Sequence, residues 1–162
     1  MTSFDIQSLF TNIPLDETID ICVETIYKNK KEIKGLLKQE FRKLLTFSVK
    51  LSCFLFNNVY YEQVDGVSMG SPLGPTLANI FLVHYEKKWL DQCPLQFKPE
   101  YYRRYVDDLF LMFKEKDHVK KFLRYLNSRH PNIKFTHEEE NENKMSFLDV
   151  TITREGNILS TT

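Results

Sequence analysis

Tyr102-Arg-Arg-Tyr-Val-Asp-Asp-Leu-Phe-Leu-Met-Phe113 reads as two short strands joined by a tight turn, with Asp107 and Asp108 adjacent at its tip. Adjacent carboxylates repel each other, and folding gains nothing from that repulsion. A divalent cation would relieve it. Alone, an Asp-Asp pair is an ordinary surface turn. What singles this pair out is its context: apolar stretches on both sides, a third acid (Asp5) near the end of an earlier strand, and a Gly/Pro-rich loop between them.

The rest of the composition limits the function classes. The chain has 162 residues, 42% hydrophobic and 14% aromatic, which fits one folded domain rather than a disordered chain. Its 22 Lys plus Arg equal its 22 Asp plus Glu. That balance argues against a free-standing nucleic-acid binder, although a local basic patch remains open. Cys22, Cys53 and Cys93 are scattered and lack Cys-x-x-Cys spacing. A disulfide framework or zinc site is disfavoured, and a reducing intracellular compartment, nuclear or cytoplasmic, is expected. Neither a secretion signal nor an apolar run of membrane-spanning length is present, so no membrane partner is expected.

Along the chain, Ser3 to Ile6 reads as a short strand and Ser8 to Pro14 as a turn. Leu15, Ile19, Cys22, Val23 and Ile26 recur at helical spacing, with acids in the first turn where the helix dipole favours them. A basic connector around Lys30 to Lys34 precedes a second helix over Phe41 to Val49. Asn57-Asn58 and Asp65-Gly66 bracket a strand of a β-hairpin. Gly66-Val-Ser-Met-Gly-Ser-Pro-Leu-Gly-Pro75 opens a long helix with Leu77, Ile80, Phe81, His84 and Trp89 on one stripe. Asp117 reads as the cap of a helix ending near Ser128. Ile133 to Thr136 and Ser146 to Thr153 close the chain as strands, and Gly156-Asn157 marks a last hairpin. The expected fold class is α+β, an antiparallel sheet with helices on one face. The four histidines show no ligand spacing, and Glu138-Glu-Glu with Glu142 is expected to face away from any nucleic acid.

Asp5 on one strand and Asp107-Asp108 on a hairpin suit phosphoryl transfer assisted by two ions, because neighbouring strands lie about 4.8 Å apart. Here the chain resembles a known family. Residues 4–10 (Phe-Asp-Ile-Gln-Ser-Leu-Phe), Gly66 to Pro75 and Tyr105-Val-Asp-Asp108 look like three ordered motifs of a reverse transcriptase palm. Ser8 to Pro14, Met69-Gly-Ser-Pro-Leu-Gly-Pro-x-x-Ala-Asn-Ile-Phe81 and Ser146-Phe-Leu-Asp-Val150 are similar to the Penelope-like retroelement enzymes. The resemblance spans nearly the whole chain and implies one palm domain over residues 1–162.

That resemblance implies an RNA-directed DNA polymerase with RNA template, DNA primer and deoxynucleotide partners. It implies two Mg²⁺ ions, or Mn²⁺ as a substitute, held by Asp5, Asp107, Asp108 and the Ile6 carbonyl. Phe10 would exclude a 2′-hydroxyl, and Gly66, Met69, Gly70, Ser71 and Pro72 would line template and incoming base. Met69 stands where many relatives carry Gln, so contact there would be apolar. Lys134 falls near the position of a lysine that protonates pyrophosphate. Fingers and thumb regions, expected in a longer chain, are not recognisable, so the palm alone would bind weakly. A silent retroelement remnant and a palm-like nucleic-acid-binding or scaffold protein fit the same residues.

Overall fold

A computed structural model describes residues 1–50, 53–68, 70–156 and 158–162, which form two compact units. Met1–Gln7 and Trp89–Thr162 make the first, Ser8–Lys88 the second. In chain order the elements are β1 (Thr2–Ile6), α1 (Leu9–Asn12), α2 (Leu15–Ile26), β2 (Glu32–Ile33), β3 (Leu36–Leu37) and α3 (Lys38–Lys50). Next come β4 (Cys53–Phe56), β5 (Val59–Glu62), α4 (Gly74–Asp91), β6 (Tyr101–Tyr105), β7 (Asp108–Met112) and α5 (Lys116–Asn127). The chain closes with β8 (Phe135–Glu139), β9 (Lys144–Phe147), β10 (Val150–Glu155) and β11 (Ile158–Thr161). No helix among the described residues is long and apolar enough to cross a membrane.

The first unit has an antiparallel sheet in the order β6-β7-β1-β8. Alternation along β1 buries Thr2, Phe4 and Ile6, each about 1% exposed, and sends Ser3 and Asp5 to the opposite face. Phe4 is paired with Leu109 and His137, and its ring lies 6.0 Å from that of Phe122 on α5. Helix α5 therefore covers the Phe4 face, which agrees with the expected helices on one side of an antiparallel sheet. The other face is partly covered by a second sheet, β11-β10-β9. Phe110, Met145 and Ile152 form the core there, and the Phe110 and Phe147 rings stand 5.6 Å apart.

The second unit is built on α2 and α3. The α2 bounds match the periodicity, and Leu15, Ile19, Cys22 and Val23 are buried along it. Its outer acids form a ladder with α3: Asp16 with Lys50, Asp20 with Arg42 and Glu24 with Lys38. All six side chains are largely exposed, so the ladder sets helix pairing more than it adds stability. Tyr27 packs on Phe41 at 5.7 Å and donates its hydroxyl to the Leu36 carbonyl at 2.9 Å. Hairpin β4-β5 turns on Asn57 and Asn58, both at positive φ (49° and 59°), as a two-residue loop requires.

Four expectations need correction. Lys30 to Lys34 is not only a connector: β2 and β3 pair across Lys34 and Gly35, at φ 49° and 79°. Ser8 to Pro14 holds the helical turn α1, entered through Ser8 in the left-handed region. Glu115, not Asp117, precedes α5, and Asp117 instead pairs with Lys121 within the helix at 2.6 Å. Ser146 to Thr153 is not one strand, because β9 and β10 pair around Leu148 and Asp149. The turn residue Asn157 lies outside the described residues.

Core and surface contributions should separate sharply. Phe122→Ala removes a fully buried ring packed on Phe4 and Phe113, and is expected to cost about 3–5 kcal/mol. Asp20→Ala breaks one exposed pair and should cost less than about 1 kcal/mol. Denaturant midpoints of the two variants check this, and comparable losses would contradict it.

Candidate active site

The β6-β7 turn consists of Val106 and Asp107 between Tyr105 and Asp108, which pair directly. Val106 has φ 55°, an uncommon conformation for a β-branched residue. Two hydrogen bonds hold it there. Arg104 Nη1 donates to the Val106 carbonyl at 2.9 Å, and the Ile6 amide donates to the Asp107 carbonyl at 3.1 Å. The second bond ties the turn to the end of β1. One register row across the sheet reads Tyr105, Asp108, Asp5 and Thr136, all directed to the face away from α5. Asp5 and Asp108 line a cleft of about 240 Å³ together with Thr136, Glu138 and the β9-β10 tip residues Phe147 and Leu148.

Electrostatics single out these acids. Burial first, and then the charge of Asp107, push the Asp5 carboxyl above the ordinary aspartate value. Asp108 is raised in the same way, by burial and then by Asp107 and Asp5. Asp5 keeps exposed surface, so these shifts are screened by salt. Among the described residues, no group of three or more His, Cys, Asp or Glu side chains is gathered tightly enough to hold a metal by itself. Mg²⁺ takes one or two carboxylates and completes its shell with water and substrate phosphates. Carboxylates that raise one another, as Asp107 raises Asp5 and Asp108, are oxygen donors of the kind such a hard cation takes.

In the second unit, Phe10 is half-buried and its carbonyl accepts a hydrogen bond from the Val67 amide at 2.7 Å. Gly66 sits against Thr11: a Cβ built on it would lie 2.5 Å from the Thr11 carbonyl oxygen, and its φ is +74°. Its missing side chain therefore makes room for the chain's own backbone. Gly70 differs, because its φ of +91° requires glycine while the space around it is open. Ser71 and Pro72 follow at the surface, and the Gly74 amide donates to the Ser71 carbonyl at 3.0 Å at the start of α4. Met69 lies outside the described residues.

Asp5, Ile6, Asp107 and Asp108 thus come together in the first unit, and Phe10, Gly66, Gly70, Ser71 and Pro72 belong to the second. Lys134 is engaged elsewhere. Its Nζ donates to the Asn127 carbonyl at 2.9 Å and the His130 carbonyl at 3.4 Å, at the C-terminal end of α5. Glu138 does not face away as expected, since it lines the Asp5 cleft, whereas Glu140 turns to Arg154. Tyr105 and Thr136, the outer members of the register row, carry no signal of their own in the sequence, because only strand pairing places them beside the acids.

Residues 1–152 match the family model described as reverse transcriptase (RNA-dependent DNA polymerase). The chain belongs to this family. A telomerase reverse transcriptase of Oryza sativa subsp. japonica is 30% identical over 60% of this chain and 9% of its own length. Among solved structures, apo telomerase from Candida tropicalis has a TM-score of 0.68 at 14% identity, over 94% of this chain and 31% of that one. The Sicinivirus 3Dpol RNA-dependent RNA polymerase has a TM-score of 0.58 at 17% identity, over 95% and 34%. At such identities the structural likeness concerns the fold. The chain spans 9% of the curated relative and about a third of the solved structures.

Two outcomes follow for stability. A carboxyl raised in the folded state favours folding when protonated, so its contribution is full below the ordinary aspartate value and lost as pH rises through the folded value. Asp108→Asn should therefore be more stable than the parent at pH 7 without divalent ions, the gap closing as pH falls; thermal midpoints across that window read it. In the glycine loop, Gly66→Ala meets backbone and should cost about 2–4 kcal/mol, against about 1 kcal/mol for Gly70→Ala. Equal costs by denaturant titration would contradict the packing of Gly66 on Thr11.

Proposed function

We propose that residues 1–162 form the palm of a reverse transcriptase that adds deoxynucleotides to a primer 3′-hydroxyl on an RNA template. The observation that carries this reading is the register that sets Asp5 opposite Asp108 with Asp107 in the adjoining turn, on the face of the sheet away from α5. In this reading Asp5 and Asp107 would be the principal ligands of two Mg²⁺ ions, or Mn²⁺ in their place, with Asp108 and the Ile6 carbonyl in support. A metal held by these residues would supply the acidification of the attacking hydroxyl and the neutralisation of charge on the departing pyrophosphate. The chain's own work is positional. A paired sheet and a hydrogen-bonded turn keep the carboxylates at fixed separation, so little reorganisation is needed when charge develops.

Phe10 is assigned the steric exclusion of a 2′-hydroxyl, and the open side of Gly70, with Met69, Ser71 and Pro72, the approach of template and incoming base. Gly66 supports that loop through Thr11. Lys134 acts as proton donor to pyrophosphate only if it leaves the α5 carbonyls that hold it. The Met69–Pro75 and Ser146–Val150 motifs support an origin in a Penelope-like retroelement.

Extension of oligo(dT) on poly(rA) with Mg²⁺ tests the assignment, using this chain with and without appended fingers and thumb regions. Asp107→Ala is expected to lower extension by about 10²-fold or more. Undiminished extension by Asp107→Ala would sink the reading, and inert parent protein in both forms would favour a silent remnant or scaffold. In the extending form, Phe10→Ala should raise ribonucleotide use relative to deoxynucleotide by about tenfold or more. An unchanged ratio removes Phe10 from selectivity.

A further inference from the structure

On the face of the four-stranded sheet that carries the acids, edge strand β6 contributes Tyr101, Arg103 and Tyr105 at every second position. Arg103 is paired with Phe110 and so lies one diagonal step from Asp108, about 7–8 Å away along the sheet. Its guanidinium is held over the Tyr101 ring at 5.0 Å, and Nη1 donates to the Tyr102 carbonyl at 2.9 Å. The Tyr101 ring in turn stands edge-on to Phe110 at 6.0 Å, and Phe110 to Phe147 at 5.6 Å. A chain of rings thus braces this cation from below.

Arg103 is nevertheless exposed, as are Tyr101 and Tyr105 at 42% and 63%. Among the described residues it makes no ion pair, although the acids of the next strand are one step away. Its contacts within the fold are the Tyr101 ring and the Tyr102 carbonyl, which leave its charge without a carboxylate partner among the described residues. Its neighbour Arg104 does serve the fold, donating to the Val106 carbonyl from the alternate position of the strand. A pre-positioned guanidinium with free donors, flanked by aromatic rings beside a catalytic carboxylate row, has the chemistry of a phosphate clamp on a nucleic-acid strand.

We propose that Arg103 grips a phosphodiester of the nucleic-acid strand lying over the Asp5–Asp108 face, with Tyr101 and Tyr105 as rails on either side of it. This rests on the palm reading above. It also answers the neutral net charge: a local cation on one strand edge, not a basic surface, supplies the electrostatic contact.

The test is the affinity of a labelled oligo(dT)·oligo(rA) duplex across a salt series, by fluorescence anisotropy without metal. Arg103→Gln is expected to weaken binding roughly tenfold at low salt. It should also reduce the slope of log affinity against log salt by about one. Arg103→Lys should keep most of the slope. Lys120→Gln, on the helix that covers the opposite face, should leave it unchanged, and thermal midpoints should be the same for all three. An unchanged slope in Arg103→Gln, an equal loss in Lys120→Gln, or no salt-dependent duplex binding by the parent would overturn the proposal. A raised KM for dTTP with duplex affinity intact would also overturn it, by moving the contact to the triphosphate. Failure of the palm reading is separate and shows as undiminished extension by Asp107→Ala.

Discussion

The antiparallel pairing that sets Phe4 opposite Leu109 also sets Asp5 opposite Asp108, and the two pairings cannot be changed independently. Because side chains alternate, a one-residue slip of β1 would drive Asp5 under α5 and expose Phe4. The buried Phe4–Phe122 contact is therefore what holds the carboxylates in line. Apolar packing on one face of the sheet supplies the geometry on the other. The like-charge repulsion this creates is tolerated because the hydrophobic term on the opposite side is far larger.

Local strain is placed where that register ends. Val106 adopts a positive φ that costs of order 1–2 kcal/mol for a residue with a Cβ. The Arg104 and Ile6 hydrogen bonds offset it and fix Asp107 relative to β1. Leu148 has the same backbone sign, at φ 53°, in the turn before Asp149. Two hairpins of the first unit thus turn on an apolar residue at positive φ followed by aspartate. Both tips belong to the acid-bearing side of the sheet, and Phe147 and Leu148 at the second tip line the cleft with Asp5 and Asp108.

Much of this architecture is legible in the amino-acid sequence. The α2 helix declares itself through undisturbed 3.6-residue periodicity, and the Asp107 hairpin through two apolar runs around a polar tip. The β9-β10 turn is hidden, because Phe147-Leu148 continues an apolar run and offers no Gly, Pro or Asn. The role of Gly66 is hidden for a different reason. Its neighbour is the Thr11 backbone, 55 positions earlier, and no local spacing reports such a contact. Glu138 departs from expectation because strand register, not acidity, decides which face a residue takes. Arg103 is the converse case: its sequence position is unremarkable, and only alternation and the ring beneath it mark it.

The central claim is that Asp5 and Asp107, with Asp108 in support, share a divalent cation. The most direct measurement is Mn²⁺ binding by electron paramagnetic resonance, with Mg²⁺ as competitor, on the parent and on Asp5→Asn and Asp107→Asn. The account predicts saturable Mn²⁺ uptake displaced by Mg²⁺, weakened about tenfold or more in each variant. Uptake that is absent in the parent, or equal in all three proteins, would contradict it.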